Sequence, residues 1–63
     1  MEYNENIRKI RKLKRMSQLD LAGRLAVTVP YVCKLERGKT NPSVKVLKKV
    51  ARALQVDIKD FFA

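Results

Sequence analysis

Residues 17–36 read SQLDLAGRLAVTVPYVCKLE, and this stretch decides the fold. Ser17 followed by Asp20 is a short form of the capping box, which is typical of a helix start. Thr28 is a second N-cap, and Pro30 falls at about the second helical position, where a proline loses no intrahelical hydrogen bond. The stretch therefore predicts two short amphipathic helices joined by a tight turn. Their predicted inward-facing residues are Leu21, Ala22, Leu25, Val32 and Leu35.

Two glycines lie in this region of the chain. Gly38 ends the second of the two helices, since glycine readily adopts the positive φ of a helix C-cap. Gly23 lies inside the first of them, where a glycine costs about 1 kcal/mol relative to alanine. Gly23 is therefore either a tolerated defect or a point where another backbone or a phosphate comes close.

A helix is predicted before this pair, from about Glu5 to Arg15, with Asn4 or Asn6 as its N-cap. Its apolar residues recur every third position and form a narrow stripe. They are Ile7, Ile10 and Leu13.

Two more helices are predicted after the pair. The segment GKTNP, residues 38–42, reads as a loop, Ser43 caps a fourth helix and Asp57 caps a short fifth one. Their apolar residues are Val44, Leu47, Val50, Ala51 and Leu54 in the fourth helix, and Ile58, Phe61 and Phe62 in the fifth. We find no strand alternation, repeat or linker, so the sequence predicts a single all-α domain over residues 1–63.

Composition argues against several classes of protein. The 63 residues include one cysteine, Cys33, and no histidine, which argues against a disulfide within the monomer and against a structural zinc site. The N-terminus has no apolar signal core, and no apolar run approaches the roughly 18 residues that span a bilayer. No paired carboxylates accompany a nucleophile, and no glycine-rich loop follows a strand. We expect a soluble cytoplasmic protein that is not an enzyme and that binds no metal or cofactor.

Basic residues dominate the charge of the chain. Fifteen Lys and Arg against six Asp and Glu give a formal net charge of +9, which predicts an anionic partner. The alternative for any one cluster is a solvated helix face. The first cluster consists of Arg8, Lys9, Arg11, Lys12, Lys14 and Arg15, and the second of Lys45, Lys48, Lys49 and Arg52.

A helical wheel predicts which side of the third helix faces outward. With Val32 and Leu35 inward, and 100° between successive residues, the outer face has no acid. It consists of Pro30, Cys33, Lys34 and Arg37, flanked by Val29 and Tyr31. Such a helix, in so basic a chain, suits the major groove of DNA.

The residue types on this face suggest individual roles. Lys34 can donate to guanine O6 or N7, whereas Val29 and Pro30 can pack on a thymine methyl group. Tyr31 can donate its hydroxyl to a phosphate, as can the first N–H groups of the second helix, with Gln18 beside them.

Each role has a simpler alternative. Lys34 could be a solvated surface lysine, and Tyr31 could cover the edge of the core. Cys33 is either a small space-filling residue or a reactive thiol. Glu36 lies at the boundary of the wheel, where it either pairs with Arg11 or is an exposed acid.

Nearly the whole chain resembles the Cro/repressor-type helix-turn-helix domain, also called the XRE family. The segments that carry the resemblance are MSQLDLA, VTVPYVCKLERGKTNPS and LKKVARALQV. The resemblance implies a compact five-helix, lambda-repressor-like fold that binds operator DNA, usually as a homodimer on a palindromic site.

Carried over by position, the resemblance also implies site residues. Those facing bases are Val29, Pro30, Cys33 and Lys34, and those binding phosphates are Gln18, Tyr31, Lys39, Thr40 and Asn41, to which we add Arg37. An ion pair between Arg11 and Glu36 is implied too. The chain departs from the family pattern at two points. Members usually have glycine where this chain has Ala26. Members often have polar residues where this chain has the apolar Val29 and Pro30, and this second departure shifts specificity toward methyl contacts and DNA shape.

The sequence thus predicts a sequence-specific transcriptional regulator, a repressor associated with the nucleoid. The alternatives within the same fold are an antitoxin, which would have a toxin partner, and the controller protein of a restriction–modification system. An alternative from another class is a basic amphipathic protein acting on membranes or RNA. Phe61 and Phe62 are candidates for a dimer surface, unless one or both close the core.

Overall fold

In a computed structural model, residues 2–63 form four α-helices and a final 3-10 helix, with no strand among them. The helices are α1 (Glu2–Leu13), α2 (Gln18–Leu25), α3 (Val29–Arg37) and α4 (Val44–Leu54), and the 3-10 helix is Ile58–Phe62. The all-helical fold and the order of its elements are confirmed. Met1, which the predicted domain includes, lies outside the described residues.

The N-caps predicted for the last four helices are present. Ser17 accepts from the Asp20 N–H while Asp20 accepts from the Ser17 N–H, so the capping box is complete. Thr28 and Ser43 cap α3 and α4 through their side chains, and Asp57 caps the last helix. Each cap satisfies a backbone donor that a helix start leaves without a partner.

The predicted start of the first helix was wrong. The helix begins at Glu2, so Asn4 and Asn6 lie inside it and cap nothing. Leu13 was wrongly assigned to the buried stripe, because its side chain is 81% exposed. The buried side of α1 instead runs through Tyr3, Ile7 and Arg11, at the i, i+4, i+8 spacing of one helix face.

Three of the four αL residues in the described chain are not glycine. Ala26, at the C-cap of α2, has φ 58° and ψ 43°, so the position that resembles a glycine of the family does adopt the left-handed conformation. Arg15 and Gln55 are also αL, as is Gly38 with φ 71°. A Cβ at Gly23, by contrast, would meet no atom within 4 Å. The idea that another part of the backbone approaches Gly23 closely was therefore wrong.

One core joins all five helices. Its largest fully buried side chains are Phe61, Ile7, Leu21, Leu35, Leu54, Val32 and Val50. Phe61 is fully buried, so of its two predicted alternatives it closes the core and is not part of a dimer surface, whereas Phe62 next to it is 53% exposed. Burial of a phenylalanine stabilises a fold by roughly 2–3 kcal/mol, and Phe61 thereby holds the 3-10 helix against α1 and α4.

Candidate nucleic-acid interface

Helix α3 has a well-defined inner and outer side. Val32 and Leu35 are fully buried, as the helical wheel predicted. Pro30, Lys34 and Arg37 are exposed on the other side. This outer side carries no acid, and the only acid of the helix, Glu36, is buried. The outer side of α3 is therefore a cationic surface available to an anion.

Three predicted interface residues are half-buried, and of these only Cys33 was placed by the wheel on the outer face rather than on its flanks. Val29 is half-buried and packs against the core, so only part of its side chain is available to a partner. Tyr31 and Cys33 are half-buried as well. The Cys33 thiol is not in a disulfide.

The predicted ion pair between α1 and α3 is formed. Arg11 Nε lies 2.6 Å from Glu36 Oε2, and Arg11 Nη2 donates to Glu36 Oε1 at 3.2 Å. Gln18 Nε2, at the start of α2, donates to the same Oε1 at 3.2 Å, and Arg11 Nη1 donates to the Met16 carbonyl at 2.7 Å. The network thus connects α1, α2 and α3 beneath the outer surface.

The side chain of Gln18 can donate to Glu36 and to an external acceptor at the same time. Its amide nitrogen carries two hydrogens, and the contact with Glu36 uses one of them. The other remains available for an external acceptor. The Gln18 and Leu19 N–H groups lie in the first turn of α2, where helices leave backbone donors without an intrahelical partner, whereas the N–H of Asp20 is already bonded to Ser17 Oγ.

The loop between α3 and α4 contains three of the predicted phosphate ligands. Lys39 and Asn41 are exposed, and Thr40 is half-buried. The Thr40 carbonyl accepts a hydrogen bond from Tyr3 Oη at 3.0 Å. Helix α1 thus contacts the loop directly through Tyr3, while α2 and α3 pack against each other.

Sequence reasoning gave Tyr3 no role and considered Asn4 only as an N-cap, whereas Tyr3 contacts the loop and Asn4 contacts the end of α3. Asn4 Nδ2 donates to the Glu36 carbonyl at 3.2 Å. Both residues precede the predicted start of the first helix. The only available signal was the spacing of Tyr3 four residues before Ile7, which extends the stripe of α1 by one turn.

The basic clusters outside α3 differ in their surroundings. Arg11 is buried in its ion pair, whereas the other members of the first cluster are exposed. On α4 the exposed cations line a shallow depression with Val44, at Lys45, Lys48, Lys49 and Arg52. No helix in residues 2–63 is long and apolar enough to cross a membrane.

Helices α2 and α3 are each capped at the N-terminus, and a tight turn with Ala26 in the αL conformation joins them. A family model described as helix-turn-helix matches residues 7–61. The chain belongs to the helix-turn-helix family. The XRE-type resemblance inferred from the sequence is thereby confirmed, and the matched segment includes the whole of α2, α3 and α4.

Two curated helix-turn-helix relatives are similar over most of this chain. The transcriptional regulator DdrOP3 of Deinococcus deserti is 35% identical over 60 residues, which are 95% of this chain and 46% of that protein. The transcriptional regulator SlrR of Bacillus subtilis is 46% identical over 57 residues, which are 89% of this chain and 38% of that protein. The chain spans less than half the length of either relative.

A solved helix-turn-helix structure is similar over nearly its full length. It is the restriction–modification controller protein C.AhdI from Aeromonas hydrophila. The TM-score is 0.90 at 31% sequence identity, and the match covers 97% of this chain and 92% of that one.

Proposed function

We propose that this chain is a sequence-specific DNA-binding transcriptional regulator that inserts α3 into the major groove. The observation that carries the proposal is the orientation of α3. Two fully buried apolar residues and the buried Arg11–Glu36 pair hold one side inward, so Lys34 and Arg37 face outward without an acid beside them. Membership of a family that includes transcriptional regulators supports the same function.

Bases are read by the central part of α3. Lys34 donates to guanine O6 or N7, and each such contact is worth about 1–3 kcal/mol of discrimination. Pro30, the exposed part of Val29 and the half-buried Cys33 offer apolar contacts that suit a thymine methyl group. Because three of the four base-facing residues are apolar, DNA shape supplies part of the specificity.

Phosphates are bound around α3, where they fix its register without reading sequence. Lys39 and Arg37 supply charge, and the other donors are uncharged. The proposed phosphate ligands are Gln18, Tyr31, Arg37, Lys39, Thr40 and Asn41. Gln18 is held for this role by its hydrogen bond to Glu36.

The regulator acts as a homodimer on a palindromic operator. Two copies of α3 would lie about 34 Å apart, one turn of DNA, so a single chain would contact half a site. Phe62 is 53% exposed beside the buried Phe61, and this supports a dimer surface at the C-terminal 3-10 helix. The regulator represses transcription in the cytoplasm, on the nucleoid, and needs neither catalysis nor a metal or cofactor.

The experiment that tests the function is selection of bound sequences from random DNA duplexes, followed by footprinting. We expect enrichment of a palindrome. Lys34→Ala should relax the preference at one base position per half-site, whereas Lys39→Ala should weaken all sequences alike. Lys49→Ala, which removes the same charge from α4, is the control, because Lys49 is exposed and α4 carries none of the proposed DNA-binding residues. A selected pool no different from the input would contradict the proposal, as would liposome or RNA binding in its place.

A second candidate is a controller protein of a restriction–modification system. The full-length match to C.AhdI, which covers 92% of that structure, favours this candidate. An antitoxin is the third candidate, and it would need a further surface for its toxin. Genes for an endonuclease and a methyltransferase beside this one would favour the controller, and a toxin gene would favour the antitoxin.

A further inference from the structure

We infer that Tyr3 and Asn4, at the start of α1, are positioning residues for the phosphate-binding loop between α3 and α4. Neither residue belongs to the helix-turn-helix unit. Tyr3 donates a hydrogen bond to a backbone carbonyl of the loop, and Asn4 donates one to a backbone carbonyl near the end of α3. Tyr3 Oη donates to the Thr40 carbonyl at 3.0 Å, and Asn4 Nδ2 donates to the Glu36 carbonyl at 3.2 Å.

The loop has little else to hold its shape. Residues 39–43 have no helical conformation. Ser43 at the end of the loop accepts from the Val46 and Leu47 N–H groups of α4, but within residues 2–63 Tyr3 supplies the only hydrogen bond from another element to residues 40–42. The Lys39 N–H donates to the Lys34 carbonyl at 2.9 Å and so fixes only the first residue of the loop. The position of Thr40 and Asn41 relative to α3 therefore depends on α1.

Asn4 is packed directly on the C-cap of α3. It is 8% exposed, and a Cβ added to Gly38 would lie 3.3 Å from Asn4 Cγ and 3.3 Å from Nδ2. Gly38 is αL with φ 71°, a conformation that favours glycine, and a Cβ there would press against the Asn4 amide. The amide of Asn4 thus lies on the residue where the chain leaves α3 for the loop.

A purely structural role at position 4 would be filled better by an apolar residue than by asparagine. Its Oδ1 is buried and has no hydrogen-bond partner among the described residues. A buried polar atom without a partner is destabilising, and an apolar side chain of similar size would avoid that cost. The hydrogen bond to the end of α3 is what an apolar side chain could not provide, and this favours a positioning role.

The inference rests on the proposed function, and its test uses variants of the intact chain. Tyr3→Phe removes one hydroxyl and keeps the buried ring, and Asn4→Ala removes the second contact. Each should weaken binding to a half-site duplex about five-fold, which is the equilibrium equivalent of one net hydrogen bond. The salt dependence of binding should also become shallower, because fewer phosphates are contacted when the loop shifts.

The matched control is Asn6→Ala, on the same helix. Asn6 Nδ2 donates to the Phe61 carbonyl at 2.8 Å, in the C-terminal 3-10 helix and not in the loop. Asn6→Ala should lose as much thermal stability as Asn4→Ala but leave half-site affinity and its salt dependence unchanged. A half-site duplex is used because self-association does not contribute to binding there.

A double-mutant cycle with Lys39→Ala separates positioning from general stability. If Tyr3 acts through the loop, the effect of Tyr3→Phe should shrink to about two-fold in the Lys39→Ala background. Additive effects of Tyr3→Phe and Lys39→Ala, or equal losses of affinity in Asn4→Ala and Asn6→Ala, would overturn the inference alone. A wild-type chain that binds no duplex would overturn the proposed function as well.

Discussion

The guanidinium of Arg11 on α1 and the carboxylate of Glu36 on α3 form a two-point ion pair inside the protein. Their side chains are 8% and 3% exposed, and the contact distances are 2.6 and 3.2 Å. The third donor to Glu36 is Gln18, on α2. The pair therefore sets how the two helices of the helix-turn-helix unit sit on α1, and its removal should affect both stability and binding.

Glu36→Gln should lower the free energy of unfolding by about 3 kcal/mol, because it leaves a buried arginine without a counter-charge. Urea denaturation measures the change. Glu5→Gln, which removes an exposed acid of α1, is the control and should change stability by no more than about 0.5 kcal/mol. The apolar double variant Arg11→Met/Glu36→Leu should recover part of the loss. Equal effects of Glu36→Gln and Glu5→Gln would show that the pair contributes nothing specific.

Asp20 should make α2 sensitive to acid. Hydrogen bonds from the Ser17 backbone N–H and hydroxyl, and the nearby Arg24, hold the pKa of Asp20 below its ordinary value. A lowered pKa in the folded state means that ionised Asp20 stabilises the fold at neutral pH, and that this contribution disappears as pH falls through the folded pKa. Asp20→Asn should therefore lower the melting temperature at pH 7, and the difference from wild type should vanish at low pH. A difference that stayed constant from neutral to acid pH would contradict this assignment.

Ala26→Gly should raise the free energy of unfolding by about 0.5–1 kcal/mol. The αL conformation costs alanine about 1–2 kcal/mol, and the greater entropy of glycine in the unfolded chain offsets part of the gain. Ala53→Gly, the same substitution inside α4, should instead destabilise by about 1 kcal/mol. Thermal denaturation of both variants shows whether each substitution raises or lowers the free energy of unfolding. A destabilising Ala26→Gly would mean that the turn is not under strain.

Binding to DNA should depend strongly on salt. If each chain neutralises about five phosphates, the slope of log affinity against log salt should be about −4.5 per chain. Lys39→Ala should reduce the magnitude of this slope by about 0.9, the value of one phosphate contact. Fluorescence anisotropy at several salt concentrations measures both slopes. An affinity independent of salt would rule out phosphate binding as the main source of affinity.

Phe62→Ser should weaken self-association about tenfold or more, because an aromatic side chain would no longer be buried between two copies. Sedimentation equilibrium measures the dimer constant. Leu13→Ser provides the control, since Leu13 is 81% exposed at the end of α1 and belongs to no proposed surface. An unchanged dimer constant in Phe62→Ser would remove Phe62 from the interface.

Local patterns in the sequence were enough for the order of the helices, for the caps of all but the first, and for the faces of α2 and α3. Ser17, Thr28 and Gly38 act through hydrogen bonds and φ angles within a few residues, so their effects can be read from neighbouring positions. The Arg11–Glu36 pair was also predictable, from the family resemblance.

Contacts between residues far apart in the chain were decided only by the tertiary structure. Tyr3 and Thr40 are 37 positions apart, and Asn6 and Phe61 are 55 apart, so no periodicity links them. The same holds for the burial of Phe61 and the exposure of Phe62, which are adjacent residues of the same type. Which of the two enters the core depends on how the last helix crosses α1 and α4, and that geometry arises only when all five helices pack together.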